Sequence, residues 1–585
     1  MSSVSGKAFD TKLLLRLMQY ARPYRTTLQL GLLMTVILAF LAPLRPILIQ
    51  HTVDKYIITP DGAGLLRMTL IMTGLLLLET MLQFVNTYLT NWLGQSVIRD
   101  LRVKVYEHIT RFKLKYFDNT AIGTLVTRVV SDIETIADVF SQGILVIIGD
   151  LLQLVVVIIA MFVIDWRLSL ISLASVPLLI VTTYVFKKAI KIAFQDVRTQ
   201  VARLNAFVQE HLTGMSIIQI FNKEESSFKK FSKVNEEHRR AQIRAVWIFS
   251  IFFPVVEILS AISLGLLVWW GAKGVIEGIV TLGNLFAFIL FIFMLFRPIR
   301  QLADRFNTLQ MGMVGSERVF HILDTQAQIE NKGTVSPAKL KGNIEFDKVW
   351  FAYKDEDYVL KEVSFRVSEG ETLAIVGATG AGKSSIINIL SRFYEINKGI
   401  IRVDGVDTKE YELEFLRKSI GVVVQDVFLF SDSILNNITL NDPEKSEEEV
   451  IEAAKRVGIH NFIQQLPGGY QFDVRERGGM LSLGQRQLIS FLRAYIHNPQ
   501  ILVLDEATSS VDSESEMLIQ EAIQALTENR TSIIIAHRLA TIQAADRILV
   551  MDHGKIVERG THQELLKLGG QYKRLYDLSK MKESA

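Results

Sequence analysis

The sequence predicts a helical membrane domain followed by an α/β domain that binds a nucleotide. The prediction depends on long apolar runs before about residue 300, a phosphate-binding loop at Gly377–Ser384 and an apolar strand that ends in Asp505 and Glu506. Of the 585 residues, 49% are hydrophobic, and these residues concentrate in the first half of the chain. A chain of this length is expected to form more than one domain.

Six apolar stretches are each long enough to cross about 30 Å of hydrocarbon. They run approximately over residues 28–49, 66–93, 144–164, 168–186, 246–270 and 282–296. The loops alternate in length, because those at 51–64, 165–167 and 271–281 are short, whereas those at 95–142 and 187–244 are long, basic and helical in periodicity. We therefore expect an all-α transmembrane domain of six helices over residues 1–320, with long cytoplasmic extensions.

The N-terminal segment predicts the orientation of the chain. Five basic residues precede the first span, namely Lys7, Lys12, Arg16, Arg22 and Arg25. The positive-inside rule then places the N-terminus in the cytoplasm. Residues Phe9–Tyr20 have the pattern of an amphipathic helix on the membrane surface. An even number of spans returns the chain to the cytoplasm, where ATP is available.

Composition and charge exclude several classes of function. The net charge of +3 is too small to favour binding to nucleic acid. The absence of cysteine excludes disulfides, thiolate metal sites and thiol catalysis. Within the spans, Arg45, Glu79 and Glu257 are the most deeply placed charged residues. Because such charges are costly in a membrane, they contact the substrate, pair with each other across helices or snorkel to an interface, and the sequence leaves these alternatives open.

Two stretches in the long inner loops have a pattern of short helices. One runs from Tyr116 to Asp132 and the other from Glu210 to Glu224. The first hypothesis is that they dock on the nucleotide-binding domain and transmit its motion. The alternative is that they are solvated helical hairpins without a partner.

The phosphate-binding loop matches the pattern G-x-x-x-x-G-K-[ST]. It comprises Gly377, Ala378, Thr379, Gly380, Ala381, Gly382, Lys383 and Ser384. Its backbone N–H groups can surround phosphates, Lys383 can reach the β- and γ-phosphates, and the Ser384 hydroxyl can bind Mg²⁺. A strand is predicted at Thr372–Val376 and a helix at Ser385–Leu390, whose N-terminal dipole favours an anion.

The strand Ile501–Asp505 predicts the catalytic edge of the same pocket. Asp505 can hold Mg²⁺ at the carboxyl end of a buried strand beside the phosphate loop. Glu506, the next residue, can activate the attacking water as a general base. A polar linker is predicted at 321–341, and a nucleotide-binding domain at 342–585.

The segment Leu481-Ser482-Leu483-Gly484-Gln485 resembles the signature motif of ATP-binding cassette (ABC) proteins. The resemblance then extends over nearly the whole chain. Six spans followed by this cassette resemble an exporter half-transporter of the type that includes lipid A flippases and bacterial multidrug exporters. The α/β domain is thus expected to be an ABC ATPase that uses ATP and Mg²⁺.

The resemblance also implies roles for individual residues. Tyr353 is implied to stack on adenine, Ser385 to bind nucleotide, and Gln425 to sense Mg²⁺ and the attacking water as a metal and catalytic residue. Asp512 lies in the segment that matches the D-loop, and His537 matches the switch histidine that contacts the γ-phosphate.

In this family the signature residues complete the ATP site of an opposing cassette. Ser482, Gly484 and Gln485 are therefore implied to contact the nucleotide of a second half-transporter. Leu483 stands where the family usually has glycine, and Phe472–Gly478 only partly matches the loop that exporters use to contact the coupling helices. A homodimer is favoured, and a heterodimer in which this chain is the catalytically complete subunit remains open.

The implied function is ATP-driven export or flipping of an amphipathic, lipid-like or drug-like substrate. The implied location is the bacterial inner or plasma membrane, with the ATPase domain in the cytoplasm. The alternative is an ATP-gated channel or a regulatory membrane protein, although a gate that runs on binding alone does not need Glu506. A soluble cassette ATPase is excluded by the spans.

Overall fold

The computed structural model describes residues 10–505, 513–536 and 539–583. The chain divides into two compact units. The first comprises residues 1–110 and 121–326, and the second comprises residues 111–120 and 327–585. The short segment 111–120 of an inner loop thus belongs to the second unit, together with the nucleotide-binding motifs.

The chain up to residue 326 is predominantly helical in its described part. The helices are α1 (Thr11–Tyr20), α2 (Arg25–Leu41), α3 (Leu44–Thr52), α4 (Gly62–Thr110), α5 (Leu114–Asn119, in the second unit), α6 (Ile122–Thr127), α7 (Ile133–Asp138), α8 (Leu145–Ile164), α9 (Trp166–Leu173), α10 (Val176–Thr213), α11 (Met215–Ile220), α12 (Glu224–Ile276) and α13 (Leu282–Asp324). Short π-helical turns at Val53–Ile57, Arg128–Asp132 and Val139–Ile144 connect some of them.

Several of these helices are apolar enough to cross a membrane. Among the described residues, five helical stretches meet this condition: Arg22–Ile57, Gly62–Thr110, Ile122–Ile164, Trp166–Thr213 and Glu224–Ile276. The sixth predicted span lies on a shorter apolar stretch, Leu282–Pro298, at the start of α13. The membrane class is therefore confirmed, and the count of six spans stays a prediction. The first span is interrupted between α2 and α3 at Ala42 and Pro43, because proline cannot donate a helical hydrogen bond.

The two long loops between the predicted spans form helices, as the periodicity predicted. Helices α4, α10 and α12 contain 49, 38 and 53 residues. A helix of 49 residues is about 74 Å long, more than twice the thickness of the hydrocarbon. The two predicted short helices are α5 and α11.

The charged residues in the spans have different surroundings. Arg45 of α3 and Glu79 of α4 form an ion pair at 2.5 Å. Asp150 of α8 pairs with Arg305 of α13 at 2.9 Å. The structure thus supplies the interhelical pairing that was one of the alternatives for Arg45 and Glu79. Glu257 lies at an exposed position of α12.

The second unit alternates strands and helices. In chain order it contains β1 (Ile344–Ala352), β2 (Tyr358–Val367), β3 (Thr372–Gly377), α14 (Lys383–Leu390), β4 (Lys398–Val403), β5 (Val406–Asp407), α15 (Leu413–Ser419), β6 (Ile420–Val423), α16 (Ile434–Thr439), α17 (Glu447–Arg456), α18 (His460–Gln465), α19 (Leu483–Ile496), β7 (Ile501–Asp505), α20 (Ser513–Thr527), β8 (Thr531–Ile535), α21 (Leu539–Ala544), β9 (Arg547–Asp552), β10 (Lys555–Gly560), α22 (His562–Leu568) and α23 (Gln571–Glu583).

The strands form two sheets. An antiparallel sheet has the order β2-β1-β4-β5, and a larger sheet has the order β10-β9-β3-β8-β7-β6. Strands β3 and β6–β9 are parallel, and every residue of β7 and β8 is buried, which explains their continuous apolar sequences. In such a sheet, ligands bind outside the carboxyl ends of the strands. The phosphate loop follows β3, and Asp505 ends β7 at this same edge.

The predicted linker is ordered on the second unit. Helix α13 continues through Asp324, so the first residues of the 321–341 stretch are helical. Further along, Val335 N–H donates to the Glu410 carbonyl at 3.0 Å, and Glu412 N–H donates to the Val335 carbonyl at 3.0 Å. The buried Arg392 donates to the Glu330 carbonyl at 3.2 Å. Residues 327–341 are therefore part of the second unit and are held on it by hydrogen bonds.

Candidate nucleotide site

The phosphate loop contains three glycines with a positive φ, at positions 377, 380 and 382. Gly380 and Gly382 have φ angles of +84° and +98°, a region that other residues rarely adopt. A Cβ atom on Gly382 would also lie 2.8 Å from Leu360 Cδ2 and 3.1 Å from the Val359 carbonyl oxygen. The loop therefore needs glycine at position 382 for both its conformation and its close packing on β2.

Lys383 is held inside the loop that precedes it. Its side chain is buried, and Nζ donates to the carbonyl oxygens of Gly377 at 2.8 Å and Ala378 at 3.0 Å. Burial lowers the pKa of the Lys383 ammonium group, while the nearby Asp505 carboxylate acts in the opposite direction. The positive charge is thus placed within the loop that would surround the phosphates.

Ser384 and Asp505 meet at the carboxyl edge of the large sheet. Ser384 Oγ donates a hydrogen bond to Asp505 Oδ2 at 2.9 Å. Asp505 is buried at the end of β7, whose neighbour β8 separates it from β3. A hydroxyl and a carboxylate are both oxygen ligands of the kind that Mg²⁺ prefers. These residues therefore fit a Mg²⁺ ion beside bound phosphates.

Gln425 lies at the same edge of the sheet. It is exposed and comes two residues after β6, which pairs in parallel with β7 through Val423 and Leu504. The register places the segment after Val423 beside Asp505. The structure thus brings Gln425 to the edge that carries Ser384 and Asp505, and its role as a metal and catalytic residue stays a prediction.

Tyr353 lies against the helix that follows the phosphate loop. Its hydroxyl is 3.1 Å from Ser385 Oγ and accepts a hydrogen bond from Asn388 Nδ2 at 3.0 Å. Its ring packs edge-on against Phe351 and Tyr394, with centroid distances of 4.7 and 5.0 Å. Tyr353 is therefore close to the predicted nucleotide pocket, and its stacking on adenine stays a prediction.

The signature segment caps the N-terminus of α19. Ser482 Oγ accepts from Gln485 N–H at 3.2 Å, and Gln485 Oε1 accepts from Ser482 N–H at 2.9 Å. This capping box satisfies two backbone donors. Gly484 is buried in the first turn, whereas Ser482 and Leu483 are exposed. The exposed helix start offers the remaining N–H groups and a positive dipole end to a ligand that comes from outside.

Three predicted site residues, Glu506, Asp512 and His537, lie outside the described residues. Their roles stay predictions. Sequence reasoning missed two residues that the structure places near the site, Asn388 and Tyr394. Asn388 could have been found, because it lies one turn after Ser385 on α14 and thus on the same face. Nothing in the local pattern around Tyr394 indicates its partner Asp118, which is 276 residues away in the sequence.

Comparison with known proteins defines the class. Residues 28–299 match the family described as ABC transporter transmembrane region, and residues 360–509 match the family described as ABC transporter. The chain therefore belongs to the ABC transporter family. It carries one membrane domain followed by one cassette, the organisation of a half-transporter, and it is an integral membrane protein that couples ATP hydrolysis to transport.

Three relatives illustrate the similarity. An uncharacterised ABC transporter ATP-binding protein of Bacillus subtilis, YknV, is 38% identical, with 97% of this chain and 94% of the relative covered. A probable multidrug resistance ABC transporter ATP-binding/permease protein of the same organism, YheH, is 36% identical over 89% of this chain and 78% of its own length. The ATP-dependent lipid A-core flippase of Desulfotalea psychrophila is 34% identical over 97% of this chain and its full length, 100%.

Proposed function

We propose that this chain is one half of a dimeric exporter that moves an amphipathic substrate across a membrane by alternating access. The observation that carries the proposal is the meeting of Ser384 and Asp505 at the end of the phosphate loop. It joins the residues that hold phosphates to the strand that leads into Glu506. A pocket of this kind is suited to hydrolysis as well as to binding.

The residues of the pocket have distinct roles in this proposal. Lys383 and the loop N–H groups bind and orient the phosphates of ATP, which is the substrate. Ser384, Asp505 and Gln425 would hold Mg²⁺, which neutralises charge on the phosphates when it is bound. Glu506 accepts a proton from the attacking water, and His537 positions the γ-phosphate.

A second subunit completes the pocket. The exposed start of α19 carries Ser482, whose described side-chain hydrogen bond stays within its own capping box. We place Ser482, Gly484 and Gln485 against the nucleotide of the partner subunit, where the N–H groups of the helix face its phosphates. A homodimer is the assembly that needs no further component.

The two short inner helices have different roles in coupling. Helix α5 packs with the ATPase of its own chain, because Tyr394 of that unit donates a hydrogen bond to Asp118. Helix α11 exposes Ile217, Ile220 and the following Phe221. We assign this apolar face to the ATPase unit of the partner subunit, where it would bury surface that is costly to leave in water.

The substrate class follows from the relatives and from the spans. One relative is named for multidrug resistance and another for flipping of lipid A-core. Arg45 is paired with Glu79, so its charge does not have to be explained by a binding site for an anionic headgroup of the substrate. We therefore propose amphipathic, lipid-like or drug-like substrates, with the ATPase units on the cytoplasmic side of a bacterial inner membrane.

The test is Glu506→Gln in the full-length protein reconstituted into lipid vesicles. Removal of a positioned general base should lower the ATPase rate by ~10²–10⁴. Glu528→Gln is the matched control, because Glu528 is an exposed carboxylate on the same unit. Full ATP turnover in Glu506→Gln would contradict the assignment of Glu506 as the general base. Vesicles should also accumulate ethidium or a fluorescent phospholipid against a gradient with ATP, whereas movement only down the gradient would indicate a channel.

A further inference from the structure

Tyr394 connects the ATPase core to helix α5. Its hydroxyl donates a hydrogen bond to Asp118 Oδ2. Both residues belong to the same compact unit, although Asp118 comes from the inner loop between membrane helices. Asp118 is exposed, so the hydrogen bond from Tyr394 is a specific contact on an otherwise solvated helix.

The other side of Tyr394 faces the predicted nucleotide pocket. Its ring meets the ring of Tyr353 at a centroid distance of 5.0 Å and an angle of 85°, which is an edge-to-face arrangement. Phe351 packs edge-on against both tyrosines and is buried. Edge-to-face pairs have a preferred geometry, so a tilt of one ring in this cluster requires adjustment of the next.

Tyr353 in turn contacts the helix that follows the phosphate loop. Its hydroxyl lies 3.1 Å from Ser385 Oγ and 3.0 Å from Asn388 Nδ2. An unbroken series of contacts thus runs from Ser385 through Tyr353 and Tyr394 to Asp118. The series starts at Ser385 in the first turn of α14, and its second member, Tyr353, is the residue implied to stack on adenine.

The Tyr394 hydroxyl remains a donor over the physiological pH range. Burial raises the pKa of Tyr394, and the hydrogen bond to Asp118 raises it further. The phenol is therefore protonated, and the contact with the carboxylate is a charge-assisted hydrogen bond. Such a bond holds the ring in one orientation between Tyr353 and α5.

We propose that Tyr394 is a positioning residue that makes helix α5 respond to the base of the bound nucleotide through Tyr353. The inference rests on the proposed function, because it takes Tyr353 as the residue on which adenine stacks. When adenine orders the Tyr353 ring, the edge-to-face contact orders Tyr394, and its hydrogen bond then restrains Asp118. A ligand that lacks a base leaves the Tyr353 ring without its stacking partner, so the proposal expects the base to be needed for this response.

The experiment measures hydrogen–deuterium exchange of amides 113–120 in the full-length protein in lipid nanodiscs. Saturating MgADP should slow this exchange by about fivefold, the scale of one hydrogen bond. Saturating Mg-tripolyphosphate, which lacks a base, should leave the exchange unchanged. Because ADP lacks the γ-phosphate on which the proposed base would act, a failure of the MgADP response is distinguishable from a failure of the Glu506→Gln test.

Three single variants, one double variant and a control separate positioning from structure. Tyr394→Phe and Asp118→Ala should each abolish the response to MgADP without changing ADP affinity, and the double variant should lose no more than either single one. Asp118→Asn keeps an acceptor and should retain the response. Tyr411→Phe is the matched control, because it removes a buried hydroxyl that donates to the Val403 carbonyl in the same unit.

Several results would overturn the proposal. These are an unchanged MgADP response in Tyr394→Phe or Asp118→Ala, an equal response to Mg-tripolyphosphate, and the absence of any response in the wild type. Asp118 is exposed on a short helix, so its replacement by alanine does not disturb the core. That variant keeps the test decisive even if Tyr394→Phe folds poorly.

Discussion

Ser384 Oγ donates a hydrogen bond to Asp505 Oδ2 at 2.9 Å, which joins the phosphate loop to the end of β7. Ser384→Ala removes this oxygen and one proposed Mg²⁺ ligand. We expect the Mg²⁺-dependent ATPase rate to fall by about 10²-fold, the scale of losing one electrostatic contact in a transition state. Ser384→Thr keeps the hydroxyl and should retain most of the rate. A Mg²⁺ titration of ATPase activity checks both, and full activity in the alanine variant would contradict the assignment.

Gly382 and Gly380 form a matched pair for the phosphate loop. Both have a positive φ, but a Cβ atom at 382 would meet Leu360 and Val359, whereas a Cβ atom at 380 has open space within 4 Å. Gly380→Ala should cost about 1–2 kcal/mol from backbone strain alone. Gly382→Ala should cost a further ~1–3 kcal/mol from overpacking. Thermal unfolding without nucleotide gives the melting temperatures of the two variants. We expect Gly382→Ala to melt at a lower temperature than Gly380→Ala, and equal melting temperatures would contradict this prediction.

Arg475 precedes the signature segment in a backbone conformation that suits glycine. Its φ and ψ angles are 60° and −172°, and its side chain is exposed. Arg475→Gly should therefore stabilise the protein by ~1–3 kcal/mol through relief of strain. Arg475→Ala should give no such gain, because alanine has the same restriction. The readout is the apparent Tm of the full-length protein, and an equal rise in the two variants would point to charge rather than strain.

Leu483 is the exposed first residue of α19, where we place the nucleotide of the partner subunit. Leu483→Gly would uncover the N–H groups of the helix, so the KM for ATP should fall by about threefold, the scale of one helix-terminus interaction. Met480→Gly is the control, because Met480 is an exposed apolar residue that precedes the capping box. The measurement uses this chain purified alone, with its mass determined. If the purified chain is a homodimer and Leu483→Gly leaves the KM for ATP unchanged, the placement of Leu483 beside the nucleotide of the partner subunit is contradicted.

Local patterns determined most elements of the fold. The apolar runs identified the membrane-spanning stretches, and the alternation after Gly342 identified β1, which runs from Ile344 to Ala352. The phosphate loop appeared between β3 and α14, as predicted. These features depend on hydrophobic periodicity and on glycine conformation, which act over a few residues. For the linker, the sequence predicted only a polar connection. Its contacts with Glu410 and Arg392 could not be predicted from local patterns, because these two residues lie far along the chain.

The sequence by itself determined the order of the motifs and the membrane class, and it predicted the chemistry of the nucleotide pocket. The tertiary structure decided which side chains meet. It paired Arg45 with Glu79 between two membrane helices, and it brought Asp118 from an inner loop to Tyr394 beside the pocket. The physical reason is that a motif consists of residues that are neighbours in the sequence. These contacts, in contrast, join residues that are distant in the sequence and meet only where sheet edges and helix ends come together. Such convergence is set by packing of the whole unit.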